Sequence, residues 1–280
     1  MAELKLAVRV ESIPIDCRRS GGLQKALITA AELGVGAVEL CARQTIRPSE
    51  LSDTGLRQLR KILDDLNLRV ASVRFPTRRG YDQPADLDRR IEATKQAMDF
   101  AYRIGAPVVV NQIGRVEPVT DQDETDAEGL PRFSPAMNDL RTVLDDLGRY
   151  GAKVGAFLAA ETGSESGRDL ARILELSDQA YIAVALNPGQ LIVNRFSVSD
   201  AIDSLGDRIR VVYAVDGVLD LAAGRGLMVP LGQGTADFPE MLGRLEDVPY
   251  RGPFVLGRPN MTQDTALDEL ADGVSYLRSL

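Results

Sequence analysis

KVGAFLAAETG, residues 153–163, decides the fold. Val154 to Ala160 is an apolar run too short for an independent helix and suited to a strand buried on both faces. It ends on one carboxylate, Glu161, then turns on Thr162 and Gly163. A parallel strand that delivers a single charged group at its C-terminal end is how a barrel presents chemistry. YIAVALNPGQ repeats the design with Asn187 and Gln190, and IRVVYAVDG repeats it with Tyr213 and Asp216.

Outward from that stretch the same alternation fills the chain. Short apolar runs predict strands over 4–10, 36–41, 68–75, 108–110, 154–160, 182–186, 209–215 and 254–256. Between them, helical periodicity predicts helices over 21–33, 49–66, 86–104, 137–150, 169–176, 199–205, 237–245 and 265–280, with Ser49 capping the second. Eight strand–helix pairs without a low-complexity linker fit a single (β/α)8 TIM barrel over residues 1–280, of α/β class. A doubly wound open sheet is the runner-up. It requires a glycine-rich turn after the first strand, and VRVESIPIDC has none. The irregular segment is 114–135, an acidic stretch carrying Glu117, Asp121, Asp123, Glu124, Asp126 and Glu128. It lacks the central Gly and terminal Glu of a calcium loop and reads as a long solvated loop.

Composition narrows the chemistry. The chain has 280 residues and a formal net charge of −8, which argues against nucleic acid and anionic membranes as partners. It has no histidine, so Ser-His-Asp and Cys-His sites are excluded. Any metal must then be held by oxygen ligands, which favours Mg, Mn or Ca over Zn. Cys17 and Cys41 give no disulfide framework and read as packing residues. With no apolar run long enough to span a bilayer and no signal-like leader, the expected location is cytoplasmic. Of 33 basic residues only five are lysine, leaving 28 arginines. Arg43, Arg74, Arg78, Arg79, Arg115 and Arg258 are predicted on the face formed by the strand ends, where convergence would select an anionic ligand. Gly232 and Gly234 precede a helix that Thr235 is placed to cap, a turn that either holds phosphate or simply fixes the helix.

The order of VELCA (38–42), ETG (161–163), LNPGQ (186–190), VVYAVDG (211–217) and LGQGTADF (231–238) resembles the xylose isomerase-like barrels. That superfamily includes sugar isomerases and epimerases, inosose dehydratases and nucleases of the endonuclease IV type. The resemblance covers the whole chain and implies one divalent metal held by Glu, Asp, His and Glu at four strand ends. Here those positions are Glu161, Asn187, Tyr213 and Gly257. A further family histidine corresponds to Gln190, another to Asn111, and a nuclease-branch histidine to Met228. The family's opposed acid and base glutamates are reduced to Glu161, because Gly257 replaces the second.

The expected site therefore has Glu161 as its catalytic candidate and Glu39, Arg43, Arg74, Asn111, Arg115, Asn187, Gln190, Tyr213, Asp216 and Arg258 as ligand-binding candidates. No metal or other cofactor is expected. In the alternative, Mg or Mn is held by Glu161 and Asp216, with Asp237 as a third ligand. The expected partner is a small polyhydroxylated, sugar-like molecule, with a sugar phosphate or sugar acid as its anionic version. Self-association into a homo-oligomer stays open. A regulatory pseudoenzyme that keeps the barrel as a scaffold is the competing reading.

Overall fold

In the computed structural model, which describes residues 3–118, 134–175, 180–220 and 225–280, eight parallel strands close into a barrel. They are β1 (Leu6–Arg9), β2 (Ala37–Cys41), β3 (Arg69–Arg74), β4 (Val108–Asn111), β5 (Phe157–Glu161), β6 (Ile182–Leu186), β7 (Ile209–Ala214) and, at the end, β10 (Phe254–Leu256). Each hydrogen-bonds to its sequence neighbour, and β10 closes on β1 with Ala7 opposite Val255. Helices α1 (Gly22–Glu32), α2 (Asp53–Asp65), α3 (Leu87–Arg103), α4 (Pro135–Val154), α5 (Gly167–Glu175), α7 (Val198–Leu205), α8 (Phe238–Asp247) and α9 (Ala266–Ser279) supply the outer layer. None of the helices among the described residues is long and apolar enough to cross a membrane.

Two layers of apolar packing hold the fold. Outside the strands, residues such as Leu56, Leu59 and Leu63 of α2 are buried in the helix–barrel shell, each worth roughly 1.5–3 kcal/mol. Inside, the lumen is filled by small side chains: Ala7, Ala71, Val108, Val110, Ala159, Ala183, Ala185, Val211 and Val255. Small residues at this depth leave room above them for larger polar groups.

Several boundaries differ from the sequence expectation, each for a local reason. Val154 ends α4 instead of opening β5, because Gly155 takes a left-handed conformation (φ 83°) and its N–H bonds to Gly151 O. The α2 cap is Ser52, whose Oγ accepts the Gly55 N–H at 3.2 Å, while Ser49 lies in a 3-10 turn. Asp237, not Thr235, caps α8, with Oδ1 accepting the Glu240 N–H at 3.0 Å. Two elements were unforeseen: the short helix α6 (Pro188–Val193) and the antiparallel hairpin β8–β9 (Asp216–Asp220 and Arg225–Val229) inserted after β7. Of the acidic segment, Gly114–Pro118 and Ser134–Pro135 are described, and Ser134 caps α4. The acidic residues 121–128 lie outside the described residues.

Candidate functional site at the strand ends

The period-2 rule places every second residue of a strand on one face. Two residues beyond the lumen alanines Ala7, Ala37, Ala159 and Ala185 stand Arg9, Glu39, Glu161 and Asn187. The register pairs Arg9 with Glu39 and Glu39 with Ser72 across β1, β2 and β3. A polar layer therefore lies directly above the apolar fill.

Glu39 is its hub. The carboxylate is fully buried. It accepts from Arg9 Nε at 2.9 Å, from Ser72 Oγ at 2.7 Å and from Tyr213 Oη at 2.8 Å. Such satisfaction is what lets a buried charge persist. The Arg9 guanidinium lies over the Tyr213 ring, 4.8 Å from its centroid. Burial alone would weaken the hold of Arg9 on its proton, but Glu39, Tyr213, Glu161 and Glu11 more than reverse this and fix it as a cation. Burial, followed by Glu39 and Glu161, drives the Tyr213 phenol well above its ordinary value, so it remains a donor.

Beside this hub, Glu11 Oε1 accepts from Arg74 Nη1 at 3.0 Å and lies 3.9 Å from Arg9 Nε. Arg9, Arg74 and Glu161 are within electrostatic reach of one another. Three atoms of this group are buried without a hydrogen-bond partner among the described residues: Arg9 Nη2, Arg74 Nε and Glu11 Oε2. Burying such groups costs free energy unless a water or another molecule satisfies them.

Glu161 closes β5. Its Oε1 accepts from Asn187 Nδ2 at 2.8 Å, and no hydrogen bond to Oε2 is formed among the described residues. Asn187 is itself fixed: its Oδ1 accepts the Gln190 N–H at 3.0 Å as the α6 cap, and its own N–H bonds to Thr162 Oγ1 at 2.9 Å. The amide orientation follows, because only Oδ1 can accept from a backbone N–H.

The other sequence candidates have different places. Asp216 is fully buried and accepts from four backbone amides, those of Gly217, Gly232, Gly234 and Ala236, at 2.8–3.1 Å. The glycine turn that resembles a phosphate cradle is filled by this internal carboxylate, which pins the turn ahead of α8. Asn111 holds the loop after β3, bonding Thr77 and Tyr81. Gln190 accepts from Asn194 Nδ2 at 3.3 Å. Arg258 forms a two-pronged pair with Glu269 on α9. Arg43 is exposed and stacked on Phe75, while Arg78, Arg79 and Arg115 are exposed. Of the predicted arginines only Arg74 joins the cluster. Cys41 is buried, and burial together with Glu11 pushes its thiol up to about 11, which leaves it unreactive.

The profile of the xylose isomerase-like TIM barrel matches residues 27–280. The chain belongs to the xylose isomerase-like TIM barrel family. Among solved structures it is similar to a xylose isomerase domain protein from Planctomyces limnophilus, at 20% identity, covering 99% of this chain and 96% of that one with a TM-score of 0.79. A xylose isomerase-like TIM barrel protein from Mycobacterium smegmatis, solved in complex with magnesium, matches at 18% identity over 99% and 96% with a TM-score of 0.74. The apo 3-keto-D-glucoside 4-epimerase from E. coli matches at 13% identity over 99% and 100% with a TM-score of 0.70. At these identities the likeness is one of fold. None of the curated proteins matches the chain.

The donor set does not fit the divalent site that the family resemblance implies. Asn187 turns N–H groups, not lone pairs, toward Glu161. Tyr213 donates its hydroxyl hydrogen bond to Glu39, and Asp216 is saturated by amides. At Gly257 a Cβ would meet Ser12 Oγ at 2.5 Å and Arg9 Cβ at 3.0 Å, so there is no room for a carboxylate. Among the described residues no three His, Cys, Asp or Glu side chains are grouped to share a metal. Arg9 and Ser72 were not among the sequence candidates. Arg9 had a signal, an isolated charge between Val8 and Val10 at the same height as Glu39.

Proposed function

We propose that this barrel binds a neutral polyhydroxylated, sugar-like molecule at the C-terminal ends of its strands, without a divalent metal. The observation that carries the proposal is the trio of buried, unpartnered atoms: two donors, Arg9 Nη2 and Arg74 Nε, and one acceptor, Glu11 Oε2. A hydroxyl both donates and accepts, so a diol meets all three, whereas a carboxylate or phosphate dianion cannot donate to Glu11. Charge supports the same choice. Two guanidiniums face three carboxylates, Glu11, Glu39 and Glu161, so a further anion gains little there. Sugar epimerases among the structural neighbours support the ligand class by analogy of fold.

Gly257 removes the second carboxylate of the acid–base pair implied by the family resemblance, and the lone Glu161 has one oxygen tied to Asn187. Binding without the family's metal-assisted epimerisation follows. The test is a thermal-shift and calorimetric screen of neutral sugars and polyols against sugar acids and sugar phosphates, all in EDTA. Expected is saturable binding of a neutral polyol that weakens at least about tenfold in Arg74→Ala. Binding that appears only with added Mg or Mn would overturn the proposal.

A further inference from the structure

A carboxylate buried as completely as Glu39 needs a cation beside it. Arg9 is that cation, with Glu11 and Glu161 further off. Its Nε is 2.9 Å from Glu39 and 3.9 Å from Glu11, and Glu161 is within electrostatic reach. Its ring contact is Tyr213, and its Cβ occupies the space a side chain at 257 would need. Arg9 thus touches two of the four positions at which the family resemblance puts metal ligands, and it faces a third electrostatically. The fourth, Asn187, has the change that makes a metal unnecessary. A carboxylate there would sit oxygen to oxygen against Glu161 and require a bridging cation or proton, whereas the amide bonds to it directly at 2.8 Å.

We propose that the Arg9 guanidinium is a built-in cation that takes the place of a divalent metal in the barrel mouth, and that its buried Nη2 is the donor offered to a ligand hydroxyl. The second half rests on the binding site proposed above; the first half does not. A guanidinium differs from a metal ion in three ways. It cannot be chelated away, it is directional, and its fixed fork offers donors and no open coordination position. The site is charged and ordered before any ligand arrives.

Thermal unfolding of the wild type, Arg9→Ala and Arg9→Lys, each with EDTA, Mn2+ or an alkylguanidinium, tests this. The wild type is expected to be indifferent to EDTA and Mn2+. Arg9→Ala is expected to melt roughly 6–10 °C lower, and to recover part of that loss with millimolar alkylguanidinium and part with Mn2+. Arg9→Lys should regain stability but not polyol binding, because it restores charge without the fork. Should Arg9→Ala fail to fold, the Arg9→Met/Glu39→Gln pair, which removes one charge of each sign, is expected to be more stable than Arg9→Met alone. A wild type that carries stoichiometric metal lost in Glu161→Gln, or an Arg9→Ala protein as stable as the wild type and deaf to Mn2+, would overturn the proposal. Polyol binding by the wild type is scored separately. Its absence alongside the expected Arg9 results would remove the binding function and leave the charge replacement standing.

Discussion

Arg9 Nε donates to Glu39 Oε1 at 2.9 Å across the β1–β2 register, and the Glu39 side chain is wholly inaccessible to solvent. Three donors converge on this carboxylate. Glu39→Gln removes the charge but keeps the volume, leaving Arg9 buried with its main counter-charge gone. It is expected to cost about 3 kcal/mol, read by urea denaturation. A cycle with Arg9→Met should show strong positive coupling, because the second change removes the orphaned charge.

Asp216 gives a second, independent prediction. Four backbone N–H groups point at its two oxygens. In Asp216→Asn one of those oxygens becomes an NH2 group facing donors. The expected loss is about 2–4 kcal/mol of stability. The loop before α8 should also exchange its amide hydrogens faster. If Asp216 were instead a ligand or metal contact, the substitution would alter binding with little effect on unfolding.

Gly257 lies at φ 116°, and a Cβ there meets Ser12 and Arg9. Gly257→Ala is expected to destabilise by more than about 1 kcal/mol. Gly257→Glu, which restores the carboxylate implied by the family resemblance at the last strand, should destabilise further and confer no metal binding. Restoring a metal site by this change alone would show that Arg9 gives way readily, contrary to its packing.

Glu165, in the loop after β5, is 4% exposed and hydrogen-bonded by Ser164. Burial is the main cause that pushes its carboxyl up to about 7, with Asp169 adding to it and the Ser164 bond opposing. Between about pH 4.5 and 7 the folded chain keeps a proton that the unfolded chain has released. Its contribution to stability is therefore full below that window, falls as pH rises through it, and is flat above. The wild type should lose up to about 3 kcal/mol across the window relative to Glu165→Gln, which lacks this term. Parallel stability–pH curves for the two proteins would contradict the assignment.

The barrel was legible in the sequence because its signals are local and repeated. Short apolar runs such as 182–186 and 209–215 became strands within a residue or two. The hairpin β8–β9 was not legible. Its two strands are short and hang on the fold through contacts with α6, itself only six residues long. At the site, Glu39, Arg74, Glu161, Asn187 and Tyr213 came together as strand-end residues should. Asp216 and Arg258 also stand at strand ends, but partners distant in sequence claim them: Gly232, Gly234 and Ala236 in one case, Glu269 in the other. Strand position indicates where a side chain begins; which neighbour captures it depends on loops that sequence periodicity does not describe. Arg9 was overlooked for the reverse reason, since an arginine within an apolar strand has a place only when the small lumen residues beneath it are seen.

The most direct test of a metal-independent barrel mouth is calorimetric titration of Mn2+ into the chelator-treated wild type, with Asn187→Asp as the comparison. The expected result is no saturable heat for the wild type. Asn187→Asp should gain a measurable Mn2+ affinity, because its new carboxylate faces Glu161 across the 2.8 Å now spanned by an amide hydrogen bond. One-to-one Mn2+ binding by the wild type that disappears in Glu161→Gln would contradict the account, and would return this barrel to metal-dependent chemistry.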